Sequence, residues 1–296
     1  MLNRVAGLSF VWLVVALAKC EDGTNRGACE HAATRDGQAP GGCNGSASLC
    51  DRRYDQVTYA TAHNAMSNAD EGWYRPNQRH GIERALGDGV RGLMLDAHVY
   101  RGEVYLCHAR CELGRRPIRD ALCGVHAFLD GNPGEVVSLL IENHVPDEVL
   151  VEEFIRAGLE PYLHTQPPHA TWPTLGAMVT SGRRLVVFIE SGGGAPPWLH
   201  GLFEYSWDTP YSYGSVAEFN CVVGRGRRAE SIFTINHFLT DTFGDEALAR
   251  AANDGAVLRS RVRQCEAEQG RRPTFLAVDY YETGSLLEVV RELNGL

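Results

Sequence analysis

Apolar residues alternate between short runs and longer amphipathic stretches from about residue 54 onward. The short runs are rich in Val, Ile, Leu and aromatic residues and predict strands, while the longer stretches have helical spacing and several end at glycine. The predicted strands are QVTYATA (56–62), RGLMLDAHV (91–99), EVYLCH (103–108), EVVSLLIENH (135–144), RRLVVFIES (183–191), SIFTINHF (231–238) and TFLAVDYYE (274–282). The predicted helices include 80–89, 118–131, 147–158, 172–179, 245–268 and 285–295.

The repeated order of strand and helix predicts an α/β protein with a parallel sheet. Seven or eight such units over roughly 240 residues fit an irregular (β/α)8 TIM barrel. An open doubly wound sheet is the alternative. The glycine-rich segments SGGG (191–194) and GRGRR (224–228) do not support it, because neither follows a strand and opens a helix as a nucleotide-binding turn does.

The first residues predict export. Arg4 precedes an apolar run, VAGLSFVWLVVALA (5–18), that is too short for a stable membrane anchor and ends in small residues typical of a cleaved signal peptide. We therefore predict a signal peptide (1–18), a disulfide-pinned extension (19–53) and a catalytic domain (54–296). Cys20 raises the alternative of a lipoprotein, although Lys19 stands where that signal favours a small residue.

The cysteine content fits an oxidising compartment. Nine cysteines are present, and eight remain when Cys20 is set aside, enough for four disulfides. Cys43 and Cys50 form the best local pair, and Cys107 and Cys111 form another that flanks His108; the remaining connectivity stays open. Irregular spacing and the lack of a CxxC motif argue against structural zinc.

The charge and the apolar segments of the chain limit which classes of partner are expected. The net charge is −9 and no stretch is rich in Lys and Arg, which argues against nucleic acid as a partner. No segment after the signal peptide is long and apolar enough to cross a membrane. We expect a monomer.

Titratable side chains collect at the ends of the predicted strands, where parallel barrels carry their active sites. A single histidine there is more often a hydrogen-bonded surface group, and a single asparagine often caps a turn. Several such groups at consecutive strand ends are more informative than any one of them. They are His63-Asn64, Asp96 with His98 beyond it, His108, Glu142-Asn143-His144, Asn236-His237 and Asp279.

Two of these histidines have the chemistry of an acid–base pair. Imidazole titrates near neutral pH, so His63 and His108 can remove a proton from an attacking hydroxyl and return one to a leaving oxygen, as phosphodiester cleavage requires. Arg91, at the start of its strand, is a candidate for electrostatic help.

Oxygen-bearing side chains provide the other site candidates. The oxygen donors Asn64, Asp96 and Glu142 suit a hard cation such as calcium. Asn236, His237 and Tyr281 are candidates for substrate contact.

The same segments resemble the catalytic X region of phosphatidylinositol-specific phospholipase C, most closely the secreted bacterial type of the calcium-dependent branch. TAHNAMSN (61–68) is similar to the first histidine motif, GVRGLMLDAH (89–98) to the second strand, EVYLCH to the strand of the second histidine, and EVVSLLIENH to the strand ending in Glu-Asn-His. The resemblance covers residues 54 to about 145, and VDYYETGSLLEVVRELN (278–294) resembles the end of bacterial relatives. Residues 195–230 resemble no named family segment.

The resemblance implies roles for individual residues. His63 would be the general base on the inositol 2-hydroxyl, and His108 the general acid for the diacylglycerol oxygen. Asn64, Asp96 and Glu142 would bind Ca²⁺, because the calcium-independent branch has an arginine where Asp96 stands. The implied products are diacylglycerol and a cyclic inositol phosphate, formed at a membrane surface.

Two departures from the family pattern refine this expectation. Met94 replaces an acidic residue two positions before Asp96, and a thioether is a poor ligand for calcium, so we expect weaker calcium binding. RRLVVFIES has no basic pair at its end, the region in which the eukaryotic enzymes of this family use lysines to bind extra ring phosphates. This implies plain phosphatidylinositol or its glycan-linked form as the substrate. The alternatives are a glycerophosphodiester hydrolase on the same barrel and a catalytically weak lipid- or glycan-binding relative.

Overall fold

The structure, a computed structural model, describes Cys29, residues 41–239 and residues 243–296. The predicted signal peptide (1–18), Cys20 and most of the predicted extension lie outside the described residues. The predicted domain boundaries therefore stay predictions.

The described chain alternates between strands and helices along its length. The strands are β1 (Tyr59–Ala62), β2 (Gly92–Tyr100), β3 (Glu103–Leu106), β4 (Arg116–Pro117), β5 (Val137–His144), β6 (Leu185–Ile189), β7 (Leu199–Gly201), β8 (Ser206–Asp208), β9 (Arg225–Gly226), β10 (Ile232–Asn236) and β11 (Phe275–Val278). The helices are α1 (Ile82–Asp88), α2 (Ile118–Gly131), α3 (Asp147–Arg156), α4 (Leu175–Ser181), α5 (Leu202–Tyr205), α6 (Glu246–Ala252), α7 (Gly255–Gln269) and α8 (Leu286–Leu293). Short 3₁₀ turns cover Ala47–Leu49, Tyr54–Gln56, Glu160–Tyr162 and Val216–Glu218.

Eight parallel strands form a curled sheet in the order β8-β10-β11-β1-β2-β5-β6-β7. The first and last strands of the described chain are neighbours in the middle of this sheet. β1 pairs with β11 from Tyr59↔Phe275 to Ala62↔Val278. Gly92 begins β2 opposite Thr61, and a Cβ at Gly92 would lie 2.4 Å from the Thr61 hydroxyl oxygen, so only glycine fits this close approach. The predicted irregular (β/α)8 barrel is confirmed.

The predicted third barrel strand is not part of the parallel barrel. β3 is antiparallel to the protruding end of β2, with Ala97 opposite Leu106 and Tyr100 opposite Glu103. It forms a hairpin that also pairs with β4. A two-residue turn, Arg101-Gly102, connects β2 and β3, and both residues have positive φ, as hairpin turns require. The prediction that EVYLCH is one of the barrel strands is therefore wrong.

Two apolar layers hold the sheet in place, one on each face. Leu139 and Ile141 of β5 pack in the larger cluster, which includes buried residues of helices α2 and α3. Leu140 of the same strand packs in the second cluster with Tyr59, Phe188 and other aromatic residues. Because side chains alternate along a strand, the second cluster fills the barrel interior. The parallel strands are therefore buried on both faces, as in other α/β barrels.

Four disulfides link the described cysteines. Cys43–Cys50 and Cys107–Cys111 confirm the two predicted local pairs. The pairs that the sequence left open are Cys29–Cys123 and Cys221–Cys265, which join distant segments to α2 and α7.

The predicted helix over 245–268 is divided into two helices. α6 ends at Ala252, and the side chain of Asp254 accepts hydrogen bonds from the N–H groups of Ala256 and Val257 to begin α7. Aspartate is a strong N-cap residue, so it starts a new helix here. None of the helices within the described ranges is long and apolar enough to span a membrane.

Candidate active site

A pocket of about 330 Å³ opens at the carboxyl ends of the parallel strands. Its size suits a small polar ligand. Of the predicted site residues, it brings together both histidines of the proposed acid–base pair, all three proposed calcium ligands and one proposed substrate contact: His63, His108, Asn64, Asp96, Glu142 and Asn236.

The register of β2 and β5 brings two acidic residues to the same level. Asp96 pairs with Glu142, and Met94 pairs with Leu140 two positions earlier. In-register neighbours on parallel strands share a face, and all four side chains line the pocket. A pair of carboxylates therefore lies above an apolar floor made by Met94 and Leu140.

His63 follows β1, and the neighbouring strand β11 and the residue directly after it fix its backbone and its ring. Its backbone N–H donates to the carbonyl of Val278 in β11, at 2.9 Å. Ring Nδ1 lies 2.8 Å from Oδ1 of Asp279, which also accepts from Nδ2 of Asn77. The ring stacks on Phe238 with centroids 3.7 Å apart and planes 2° apart. The Asp279 carboxylate accepts the hydrogen of Nδ1, which leaves the lone pair of Nε2 available.

His108 lies after β3, with ring Nδ1 between two polar partners. Nδ2 of Asn64 is 3.1 Å from Nδ1, and Oδ2 of Asp96 is 3.2 Å from it. Because Nδ1 carries at most one hydrogen, it either donates to Asp96 or accepts from Asn64. Asn64 has a φ of 45°, a left-handed conformation that asparagine tolerates better than most residues.

The opposite wall of the pocket is built around Arg225 of β9. Its Nη2 lies 2.7 Å from Oδ2 of Asp208, and its Nη1 lies 2.9 Å from Oε1 of Glu190. The guanidinium stacks over Tyr211, 4.5 Å from the ring centroid. Asn236 of β10 extends this network by donating from Nδ2 to Asp208 at 3.2 Å. Two carboxylates thus fix a guanidinium and an aromatic ring on the side facing the histidines.

The lining of the pocket is rich in negative charge. Among the residues that the structure describes, the lining includes four carboxylates (Asp96, Glu142, Glu190 and Asp279) and one guanidinium, that of Arg225. Burial raises the pKa of Glu190 above its ordinary value, although the neighbouring Arg225 opposes this shift. A phosphate diester would add a further negative charge, so a bound cation would offset repulsion.

The donors in the pocket fit a hard cation only modestly. Within residues 41–239 and 243–296, no cluster of three or more His, Cys, Asp or Glu side chains is arranged to hold a metal ion. The matching oxygen donors are instead two carboxylates, Asp96 and Glu142, and the amide of Asn64, a donor set that calcium accepts. Met94 contributes no oxygen beneath them.

Three predicted site residues lie outside this pocket lining. Arg91 precedes β2 at the opposite end of the strand, where Nε lies 2.6 Å from Glu135 and Nη1 donates to backbone carbonyls. His237 is fully buried and donates from Nε2 to the carbonyl of Ala252. The hydroxyl of Tyr281 donates to Asp88. Their contacts are structural, which argues against the predicted catalytic and substrate-binding roles.

His98 and His144 form a stacked pair at the rim of the pocket. They are partners in the β2–β5 register, and their ring centroids are 4.3 Å apart. Nε2 of His144 lies 2.8 Å from Oε1 of Glu142. Burial, followed by the neighbouring His144, lowers the pKa of His98. This pair positions the Glu142 carboxylate.

Several pocket residues have no predicted role from the sequence. Asp279 stands at the end of a predicted strand, but the sequence does not show that it lies next to His63. Phe238 follows the strand that ends at Asn236, and only the stacked contact identifies it. Glu190 lies at the end of the predicted strand RRLVVFIES, where the sequence assigns it no role. Tyr211 and Arg225 lie in or next to segments with weak strand signals. β8 and β9 have three and two residues, too few for a visible alternation pattern.

Comparison with known proteins supports the resemblance noted in the sequence. Two fungal proteins of Arthroderma benhamiae are similar along most of the chain. One, named an uncharacterized secreted protein, is 31% identical over 287 residues, covering 86% of this chain and 64% of that protein. The other, named PI-PLC X domain-containing protein 1, is 29% identical over 278 residues, covering 86% and 90%.

A plant protein is similar to the same extent. A PI-PLC X domain-containing protein of Arabidopsis thaliana is 30% identical over 269 residues, covering 82% of this chain and 62% of that protein. The chain thus spans less than two thirds of two of these relatives. All three are eukaryotic, so the predicted bacterial calcium-dependent branch stays a prediction.

Solved structures share the fold at low sequence identity. Phosphatidylinositol-specific phospholipase C from Staphylococcus aureus superposes with a TM-score of 0.52 at 12% identity, covering 78% of this chain and 88% of that chain. A point mutant of the same enzyme gives a TM-score of 0.56 at 14% identity, covering 79% and 88%. This likeness concerns the fold.

The family comparison covers both walls of the pocket. The model of the family described as PI-PLC X 1 matches residues 49–294, which include every pocket-lining residue named above. The chain belongs to the PI-PLC X-domain family.

Proposed function

We propose that this protein is an exported phosphodiesterase that cleaves phosphatidylinositol, or its glycan-linked form, to diacylglycerol and a cyclic inositol phosphate. The observation that carries this proposal is the presence of His63 and His108 in one pocket, each with a carboxylate at ring Nδ1. Two imidazoles oriented in this way can divide the roles of base and acid. The family membership and the fold of the solved phospholipases support the same reaction class.

His63 is the proposed general base. Asp279 accepts the hydrogen of Nδ1 and holds the tautomer in which Nε2 has a free lone pair. Nε2 then removes the proton of the inositol 2-hydroxyl as its oxygen attacks phosphorus. The face-to-face contact with Phe238 fixes the plane of the ring, so the direction of Nε2 is set before substrate binds.

His108 is the proposed general acid. When its imidazole is protonated, Nδ1 donates to Asp96, and Nε2 is left to give its proton to the departing diacylglycerol oxygen. Nδ2 of Asn64 then has no acceptor at Nδ1, and neither protonation state of His108 uses the amide oxygen of Asn64. The proton taken up by one histidine and the proton released by the other balance over the reaction.

Calcium is the proposed cofactor. Asn64, Asp96 and Glu142 would hold it, and it would supply positive charge for the phosphate oxygens. The support for this is the excess of carboxylates in the pocket and the in-register pair Asp96 and Glu142. Met94 in place of a further acid weakens the expected affinity.

The wall around Arg225 is the proposed contact for the inositol ring. Asp208 and Glu190 orient the guanidinium, whose remaining surface and the neighbouring Tyr211 ring can meet hydroxyl groups and a ring face. Among the described lining residues, one guanidinium beside four carboxylates gives little support for the binding of extra ring phosphates. An unphosphorylated inositol ring therefore fits this wall best.

Export and a membrane-bound substrate complete the proposal. Four disulfides are compatible with an oxidising compartment, and one relative is named a secreted protein. The partner is a phospholipid at a membrane surface, and the enzyme acts as a monomer.

The decisive experiment is turnover of phosphatidylinositol by the purified protein, with calcium and with a chelator, followed by identification of the products. A cyclic inositol phosphate supports the proposal. Release of a free alcohol from a glycerophosphodiester, without cyclic product, would favour the glycerophosphodiester hydrolase instead. Absence of turnover in both conditions, with retained lipid binding, would favour the catalytically weak binding protein.

A further inference from the structure

The two proposed catalytic histidines are supported in different ways. His63 directly follows a central strand of the sheet, and its backbone is hydrogen-bonded to β11. His108 follows β3, which lies outside the parallel sheet and, within the described part of the chain, pairs with β2 and with the two-residue strand β4 alone. The sheet therefore fixes His63 but does not by itself fix His108.

A disulfide surrounds His108. Cys107 and Cys111 are bonded, and their Cα atoms are 5.0 Å apart, so the bond closes a loop of five residues that contains His108. Cys107 is fully buried and Cys111 is 8% exposed. The N–H of Cys107 donates to the carbonyl of Asp96, at 3.1 Å, which ties the start of the loop to β2.

The backbone inside this loop is tightly turned. The N–H of Arg110 donates to the carbonyl of His108, at 2.6 Å. Ala109 has a φ of 57°, a left-handed conformation that alanine adopts rarely. Without a constraint, a short segment with such a conformation would relax to other backbone states. The disulfide is the covalent constraint that holds this turn.

We propose that the Cys107–Cys111 disulfide is a positioning element for the general acid, and that the protein cleaves alkyl phosphodiesters at its full rate only while this bond is oxidised. This rests on the proposed function. Opening the bond leaves the barrel, the pocket walls and His63 in place but lets Nε2 of His108 move away from the leaving oxygen. Because a displacement of about 1 Å can cost roughly 100-fold in rate, the loss should appear in kcat.

The choice of leaving group distinguishes a positioning role from a merely structural one. Loss of a merely structural disulfide would not change the ratio of the cleavage rates for two different leaving groups. An alkyl alkoxide, such as that of diacylglycerol, needs a proton from the general acid as it departs. A nitrophenolate is a far weaker base and departs without one. A misplaced His108 therefore slows the cleavage of an alkyl phosphodiester of inositol and spares that of a nitrophenyl phosphodiester of inositol.

The test compares two double variants. Cys107→Ala/Cys111→Ala should lower kcat for the alkyl ester about 10- to 100-fold, with KM within about twofold and the nitrophenyl rate within about threefold of the wild type. Cys43→Ala/Cys50→Ala is the matched control, because it removes another short-loop disulfide at the opposite end of the strands, where Asn44 contacts Gly134 just before β5. The control should leave both rates unchanged.

A second measurement applies if the double variant fails to fold. The wild type is treated with dithiothreitol without denaturant, so that its two thiols become a cyclic disulfide and each opened protein disulfide becomes two thiols. Mass spectrometry of alkylated peptides identifies the opened bond, and circular dichroism follows the fold. Alkyl-ester turnover should fall as Cys107 and Cys111 become alkylated, and it should return on reoxidation.

The outcomes separate this proposal from the proposed function. A wild type that cleaves neither ester contradicts the proposed function itself. A wild type that cleaves both, with an opened Cys107–Cys111 bond and an unchanged ratio of alkyl to nitrophenyl rates, overturns the positioning role alone. Equal losses on both esters would also overturn it, because they indicate a general structural effect.

Discussion

Nδ1 of His63 and Oδ1 of Asp279 lie 2.8 Å apart although 216 positions separate the two residues in the chain. The contact exists because β1 and β11 are neighbours in the sheet and both side chains follow the ends of their strands. The carboxylate fixes one ring nitrogen and so directs the other into the pocket. The first and last strands of the barrel thus jointly build the proposed base.

Asp279→Asn should lower kcat by about 10²–10⁴-fold with little change in KM, because an amide can hold the wrong tautomer of His63. The assay is phosphatidylinositol turnover. Asp70→Asn is the matched control, since Asp70 pairs with Nδ1 of His80 at 2.9 Å on the surface. Comparable losses in both variants would contradict a specific role for Asp279.

His63→Ala and His108→Ala should each slow diacylglycerol release by about 10²–10⁴-fold. The two variants should differ on an inositol nitrophenyl phosphodiester, where His63→Ala stays slow and His108→Ala recovers most of the wild-type rate. A nitrophenolate needs no proton from an acid, whereas the attacking hydroxyl still needs a base. Identical behaviour of the two variants on both substrates would contradict the assigned roles.

Met94→Glu should tighten calcium binding by about tenfold or more, because it adds a carboxylate on the strand face that already carries Asp96. Isothermal titration with calcium measures this without reference to turnover. Met94→Gln has nearly the same shape without the charge and should bind calcium no more than modestly better. Calcium affinities that are equal in the wild type and both variants would contradict the proposed cation site.

Arg225→Met should raise KM for phosphatidylinositol, by about tenfold or more if a charged hydrogen bond to the headgroup is lost. The ratio of alkyl to nitrophenyl rates should stay at the wild-type value, because the acid and base are untouched. Arg227→Met is the control: Arg227 is exposed and pairs with Glu230. A changed leaving-group ratio in Arg225→Met would contradict the assignment of this wall to headgroup binding.

The protein should lose stability on mild acidification. Burial lowers the pKa of His237 to about 3 and that of His200 to about 4. Histidine in an unfolded chain has a pKa near 6.5. Between this pKa and the lower pKa of the folded protein, the unfolded state binds more protons than the folded state. The free energy of unfolding therefore falls as the pH falls through this range. From pH 7 to pH 5, each histidine should remove about 2 kcal/mol. Urea unfolding at the two pH values measures this loss.

A variant isolates the contribution of one histidine. In His200 the Nδ1–H donates to Val187 and Nε2 accepts from the N–H of Gln166, and glutamine can offer a similar donor and acceptor without titrating. His200→Gln should therefore lose less stability than the wild type between pH 7 and pH 5. The exposed His169→Asn should keep the wild-type pH dependence. An unchanged dependence in His200→Gln would contradict this account.

The sequence predicted the barrel because its long strands are apolar on both faces and bounded by amphipathic helices. The prediction failed where a strand is too short to show this pattern, and where a hairpin strand has the same composition as a barrel strand. EVYLCH has the composition of a barrel strand, but only the turn Arg101-Gly102 and the pairing with β2 reveal a hairpin. β7 to β9 have two or three residues each, and their segments show no alternation.

The part of the candidate site that follows recognisable strands was predicted from the sequence. His63, Asp96, His108 and Glu142 end or follow predicted strands, so their convergence follows from the topology. Arg225 could not be recognised, because its position depends on pairing between two short strands and on contacts with distant carboxylates. Arg91 was predicted at the start of its strand, and its contact with Glu135 lies at that end of β2, away from the pocket.

The two walls of the pocket come from separate stretches of the chain. The proposed acid, base and cation ligands lie within residues 59–144 and at Asp279, whereas the wall around Arg225 is built from residues 190–236. The residues of the proposed reaction and those of the proposed headgroup contact therefore occupy largely separate stretches of the chain. We expect that exchanging residues 190–236 between family members would change substrate preference while keeping the same proton-transfer residues.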